Sequence, residues 1–319
     1  MWRILLFKYD ERNVYIEMLS TLKIRLNKFS LTILMVFVAF SLTSCGKAEN
    51  QPIVNKNADS YNSAFSQLEN DYGVKLGVYA FDTETNKEVV YHADDRFPYC
   101  STYKALAAGA VLKQDSPEQL KQVVKYTQKD ILAYAPITKN NVDKGMTVEE
   151  ICDAAIRFSD NTAGNLLFYH IGGVNGFKSV LNQLGDNVTQ SSRIEPDLNE
   201  AIPGDIRDTS TPRQLAIDLQ AYTIGDILTT DKKKILIDWM TKNTTGNNLI
   251  HAGAPDGWVV ADKSGAGSYG TRNDIAVIIP PNQKPIIIAI LSTHDIKEAK
   301  YDDKLIAQAS KIVFDFLRP

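Results

Sequence analysis

Cys100-Ser101-Thr102-Tyr103-Lys104-Ala105-Leu106-Ala107-Ala108-Gly109-Ala110-Val111 is where the chain changes character. Small, helix-favouring residues dominate it, and Thr102 to Val111 reads as helix. Upstream the pattern is different. Val74 to Phe81 alternates apolar and polar residues, Thr83 to Asn86 has turn chemistry, and Lys87 to His92 is a second β-prone run, so a hairpin is expected. Earlier still, Tyr61, Phe65 and Leu68 stand at helical spacing within Ala58 to Tyr72. Downstream, the helical pattern runs on to Met240. Thr147 and Glu150 occupy capping-box positions at the head of Thr147 to Phe158. Asn161 to Ile171, Val174 to Leu184 and Thr211 to Thr223 follow, the last with Pro212 in its first turn. Strands return in Trp258 to Ala261, Asn273 to Ile279 and Pro285 to Leu291, and Asp295 to Leu317 reads as a closing helix. β-rich ends around a helical middle predict an α+β fold, with an antiparallel sheet flanked by helices and an inserted all-α domain. The expected boundaries are a discontinuous α/β domain, 58–96 and 246–319, and an all-α domain, 97–245.

The 319 residues are 44% apolar and 23% charged, with a net charge of −3. That is an ordinary globular composition, able to bury a core without disulfides. No long basic run follows the first 30 residues, so a nucleic-acid partner is not expected. Lys23, Arg25 and Lys28 precede an uncharged run from Phe29 to Ser44. Basic, then apolar, then small residues read as a secretory signal over 1–44, too short for a span of about 20 apolar residues. Met18 would give a signal of more usual length and is a candidate start. Leu42-Thr43-Ser44-Cys45-Gly46 looks like a bacterial lipobox, in which Cys45 is acylated and holds the exported chain at the outer face of a membrane. A plain signal peptide or an uncleaved anchor is the other reading. Residues 45–57 are a polar tether. Removing 1–44 leaves 29 basic and 35 acidic residues, a net charge of −6. Cys100 and Cys152 could pair in an exported protein, but two free, buried thiols are expected.

Three short motifs carry chemistry only together. Ser101 and Lys104 are three residues apart on a helix and share a face. A serine hydroxyl is a poor nucleophile unless a neighbouring base takes its proton, and a desolvated lysine can do so. Ser159-Asp160-Asn161 offers a second hydroxyl to relay a proton, an aspartate to fix the loop, and an amide to hold a substrate carbonyl; alone, it is an ordinary helix cap. Lys263-Ser264-Gly265 sets a cation, a hydroxyl and a residue without a side chain on one strand, a fit for a carboxylate. The long aperiodic stretch Gly185 to Ser210 is a candidate functional loop. His92, His170, His251 and His294 are scattered without ligand spacing, so no zinc site or other cofactor is expected.

S-x-x-K, S-D-N and K-T-G in this order mark class A β-lactamases and penicillin-binding proteins. The sequence resembles that superfamily from about Ala58 to Leu317, departing at Ser264, where Thr is usual. Arg193-Ile194-Glu195-Pro196-Asp197-Leu198-Asn199 resembles the class A omega loop, and Gly204 to Thr209 its far end, giving a loop of 193–208. The resemblance implies Ser101 as acylated nucleophile, Lys104 as its assistant, Ser159 as proton relay to the leaving nitrogen, and Glu195 with Asn199 as the pair that activates water. It implies an oxyanion hole from the N–H groups of Ser101 and Ala266. Substrate contacts would come from Tyr134, Asn161, Lys263, Ser264, Gly265 and Arg272. Arg193 and Asp208 would close the loop as an ion pair, Asp160 would brace its own loop, and Glu195-Pro196 would be cis. Some relatives pair Cys152 with a cysteine at Ala108, or Cys100 with one at Gly267; neither bridge is available here, and the second absence argues against carbapenem specialisation. The implied activity is hydrolysis of penicillins and some cephalosporins by a monomer. A penicillin-binding protein, lacking the Glu195 loop, and a non-enzymatic sensor are the alternatives.

Overall fold

In a strand buried on both sides, consecutive rather than alternating residues must be apolar. Ile286-Ile287-Ile288-Ala289-Ile290-Leu291 is such a run, and it forms a central strand of the sheet. The structure, a computed structural model, describes residues 56–318. The expected signal segment over 1–44, Cys45 and the expected tether up to residue 55 lie outside the described residues. The main sheet contains β1 (Lys75–Asp82), β2 (Glu88–Tyr91), β3 (Val259–Ala266), β4 (Arg272–Ile279) and β5 (Ile286–Thr293). Their spatial order is β2-β1-β5-β4-β3, and every pairing is antiparallel. Strands from the two ends of the chain thus meet along β1 and β5, with Val78 opposite Ile290.

On one face, Val78, Ala80, Ile288 and Ile290 pack with Phe65 of α1 (Lys56–Tyr72) and with Leu305, Val313 and Phe314 of α8 (Asp303–Leu317). On the other, Ile275, Val277, Ile287, Ala289 and Leu291 join the core of the helical middle. Burying each such side chain contributes roughly 1.5–3 kcal/mol. That middle comprises α2 (Tyr103–Gln114), α3 (Val148–Arg157), α4 (Asn161–His170), α5 (Gly173–Leu184), α6 (Pro212–Thr223) and α7 (Thr230–Thr241). Helix α2 is buried all round from Tyr103 to Leu112, as a helix without a polar face must be. At Gly109 the ring of Tyr222 leaves no room for a side chain; a Cβ would fall 2.7 Å from its Cγ.

Four expectations need correction. Helix α1 opens at Lys56, two residues before the expected Ala58. The closing helix begins at Asp303, not Asp295. Asp302 caps it by accepting from the backbone N–H of Lys304 at 2.9 Å, and Ile296 upstream is exposed rather than turned to the core. Strand β3 runs beyond Ala261 to Ala266, because Lys263, Ser264 and Gly265 pair with Ile275, Asp274 and Asn273. Helix α7 escaped the periodicity reading; it buries only Leu236, Trp239 and Met240. Cys100 and Cys152 are both free and buried.

Candidate active site

The first turn of α2 decides where the chemistry sits. Cys100–Thr102 form a 3-10 turn leading into the helix, with Cys100 at φ 48°. Strand β4 braces it: the Asn273 side chain donates to the carbonyls of Pro98 and Tyr99 at 2.7 and 3.2 Å. One turn on, Lys104 is fully buried. Its Nζ donates to Ser101 Oγ at 3.0 Å, Asn161 Oδ1 at 2.7 Å and the Ser159 carbonyl at 2.9 Å, and pairs with Glu195 Oε1 at 2.9 Å. Burial pulls the Lys104 ammonium below the ordinary lysine range, and the Glu195 charge opposes that.

Glu195 arrives from the long loop and is held at both ends. Its backbone N–H donates to Asn165 Oδ1 at 2.8 Å, and its carbonyl accepts from Asn165 Nδ2 at 2.9 Å. Its Oε2 accepts from Asn199 Nδ2 at 2.5 Å, and Ser101 Oγ donates to its Oε1 at 3.2 Å. The Asn199 Oδ1 is buried without a partner. The Glu195-Pro196 bond is cis. Arg193 Nε and Asp208 Oδ2 close the loop at 2.5 Å, and Arg193 also pairs with Glu200. Asp208 further accepts from the N–H groups of Ser192 and Arg193 and from the Tyr99 hydroxyl.

Asp160 works on its own loop. It caps α4 through the N–H of Ala163 and accepts from the N–H groups of Ile137 and Thr138, all at 2.9 Å. Those bonds set Ser159 and Asn161 on either side of Lys104. Ser159 Oγ accepts from Lys263 Nζ at 3.0 Å, so a second buried lysine stands behind the second hydroxyl. Burial, reinforced by the nearby Lys104 charge, pulls the Lys263 ammonium down to about 7.

The opposite wall is β3. Ser264 Oγ shares a hydrogen bond with Thr245 Oγ1 at 2.6 Å. A Cβ on Gly265 would sit 3.0 Å from the Tyr99 carbonyl, a tight contact, so glycine there eases the close passage of the strand past the nucleophile turn. Arg272 Nε donates to Asp303 Oδ1 at 2.7 Å, and its guanidinium lies 4.7 Å from the Tyr301 ring centre. Between the walls is a cleft of about 340 Å³ lined by Ser101, Tyr134, Ser159, Asn161, Asn199, Thr245, Ser264, Gly265, Ala266, Arg272 and Tyr301. Lys104, Glu195 and Lys263 back it, while Asp160, Arg193 and Asp208 brace the loops outside it. Lys104, Lys263 and Arg272 outnumber the two carboxylates that pair with them, Glu195 and Asp303, which suits an anionic ligand. Sequence reasoning missed Asn165, Thr245, Tyr301 and Asp303. No spacing links them to the motifs; they reach the site by tertiary packing.

The model of the beta-lactamase enzyme family matches residues 60–317. "Beta-lactamase 3" of Bacillus cereus is 55% identical over 257 residues, covering 81% of each chain. "Beta-lactamase" of Bacillus amyloliquefaciens is 53% identical over 297 residues, covering 91% of this chain and 97% of its own. The crystal structure of a class A beta-lactamase from Clostridium kluyveri DSM 555 superposes with a TM-score of 0.81 at 78% identity, covering 82% of this chain and all of that one.

Proposed function

The chain belongs to the class A β-lactamases and hydrolyses β-lactams, and we propose that it does so through an ester on Ser101 that Glu195 helps to hydrolyse. The observation that carries this mechanism is the meeting of Ser101 Oγ, Lys104 Nζ and Glu195 Oε1, each within 3.2 Å of the other two. Ser101 Oγ attacks the lactam carbonyl, and its proton has a path to Lys104 or Glu195. The N–H groups of Ser101 and Ala266 receive the negative charge of the tetrahedral oxygen; losing one such donor costs about 2.7–4 kcal/mol of transition-state stabilisation. Ser159, backed by Lys263, passes a proton to the lactam nitrogen as the C–N bond breaks and is reprotonated by the proton that Ser101 gave up, which leaves Glu195 a free carboxylate. A water between Glu195 and Asn199 then gives its proton to Glu195 and attacks the ester, and Ser101 Oγ leaves with a proton. The unpaired Asn199 Oδ1 is an acceptor for that water.

Lys263, Ser264 and Arg272 receive the substrate carboxylate, Gly265 lets it approach the backbone, Asn161 holds the side-chain amide, and Tyr134 flanks the mouth. Gly267 and the Arg193–Asp208 pair keep the loop close to β3, which favours penicillins and early cephalosporins. The chain acts as a monomer, exported and lipid-anchored through Cys45; this part rests on residues 23–46 of the sequence, and metabolic labelling with a tritiated fatty acid, lost in Cys45→Ala, tests it.

Two measurements test the mechanism. Nitrocefin is turned over steadily, whereas one stoichiometric burst would make the chain a penicillin-binding protein or a sensor. Glu195→Ala accumulates a penicillin-mass adduct on Ser101 by intact mass spectrometry, and Ser101→Ala shows none. Normal turnover by Glu195→Ala would remove the role given to that carboxylate.

A further inference from the structure

Outside the cleft, two buried carboxyl groups meet with too few donors between them. Asp186 follows α5, and Asp218 lies within α6; they are 2% and 0% exposed. Asp186 Oδ1 accepts from the N–H groups of Val188 and Thr189 at 2.7 and 2.9 Å. Asp218 Oδ1 accepts from the Gln214 side-chain amide at 2.9 Å. The second oxygen of each has no hydrogen-bond partner, yet the two carboxyls lie within hydrogen-bonding reach of each other. Two buried carboxylates in contact repel, and each leaves an unsatisfied acceptor. A single proton between them removes both penalties.

We propose that Asp186 and Asp218 share one proton, and that this carboxyl–carboxylate bond fastens the neck of the loop carrying Glu195 to helix α6. Asp186 shapes the turn at Val188 and Thr189. From that turn, Thr189 Oγ1 bonds Ser210 Oγ at 2.7 Å, and Gln190 exchanges two backbone bonds with Thr209 at 2.9 and 3.2 Å. These contacts tie together the two ends of the loop. Burial, and then the Asp186 charge, push the Asp218 carboxyl up to about 8. The surrounding charged and titratable groups leave the pair uncompensated. Tyr222, on the same helix, is buried with an unpartnered hydroxyl. Arg96 spends its guanidinium on the Val188 carbonyl and the Thr209 hydroxyl. Lys178 of α5 lines a surface depression beside Asp186, and among the described residues neither carboxyl has an ion pair.

The folded chain therefore holds a proton that the unfolded chain releases near pH 4. The stability it adds is complete below that pH, is lost as pH rises towards about 8, and changes no further above it. Infrared difference spectroscopy of the full chain against Asp218→Asn reads the proton directly. At pH 7 the parent shows a protonated-carboxyl C=O band that the variant lacks, and the band titrates away near pH 8. A second pair of buried carboxyls, Asp262 on β3 and Asp274 on β4, is common to both proteins and cancels. In parallel, the melting temperature of Asp218→Asn rises relative to the parent from pH 5 to pH 8, and the gap is then constant. Asp186→Asn, whose amide can donate to Asp218, is the second variant and loses the same band, so the test stands if one variant does not fold. A difference spectrum showing only lost carboxylate, or melting curves that stay parallel from pH 5 to 8, overturns the shared proton. Neither readout depends on the catalytic mechanism.

Discussion

Ser101 Oγ and Glu195 Oε1 stand 3.2 Å apart, although 94 residues separate them in the chain. The helix supplies one and a loop braced at both ends supplies the other. Their distance therefore depends on contacts that belong to neither residue.

Asp208 is the first of these. It is fully buried and carries the loop's closing ion pair with three further hydrogen bonds. Asp208→Ala leaves Arg193 largely buried without that partner, and a loss of about 3 kcal/mol is expected in thermal or urea melts. Because Glu195 rides on the loop, kcat for a penicillin falls more than KM changes.

Lys263 sets a pH dependence. With its ammonium drawn down to about 7 by burial and then by Lys104, it loses its charge above neutrality. Binding of a substrate carboxylate then weakens, so KM rises and kcat/KM falls on the alkaline side. Lys263→Met abolishes that alkaline limb and lowers kcat/KM at pH 6 by about tenfold or more, the scale of a charge-assisted hydrogen bond. Stability moves the other way. The unfolded lysine keeps its proton to about pH 10.4, so between 7 and that value this group adds stability as pH rises. Steady-state kinetics and melting curves across pH 6–10 check both signs.

Gly267 holds β3 against the loop. A Cβ there would fall 2.8 Å from Cys100 Sγ and 2.9 Å from the Asn199 carbonyl, so backbone must move. Gly267→Ala is expected to cost about 1–3 kcal/mol of stability. It also lowers penicillin kcat by loosening the grip of Asn199 on Glu195, which melting and single-turnover kinetics measure.

Tyr103 has a buried hydroxyl with no hydrogen-bond partner, pressed against Gly164. Tyr103→Phe is therefore neutral or stabilising by up to about 1 kcal/mol. Gly164→Ala is destabilising, since its Cβ would lie 2.4 Å from that hydroxyl and 2.6 Å from Lys104 Cε. The double variant recovers part of the loss, and a melting-temperature cycle measures the coupling.

What the amino-acid order determined by itself was the succession of strands, helices and strands, because side chains at periods of two and 3.6 residues must share a face. It also placed the chemical groups, since Ser101 with Lys104, Ser159 with Asn161, and Glu195 with Asn199 are local patterns. Tertiary structure alone decided the rest. Helix α7 and the start of α8 at Asp303 depend on which face found the core, and Asn165, Thr245 and Tyr301 join the site from segments that carry no motif. The pairing of Asp186 with Asp218 is of the same kind: two ordinary aspartates acquire a shared problem only when folding removes water from both.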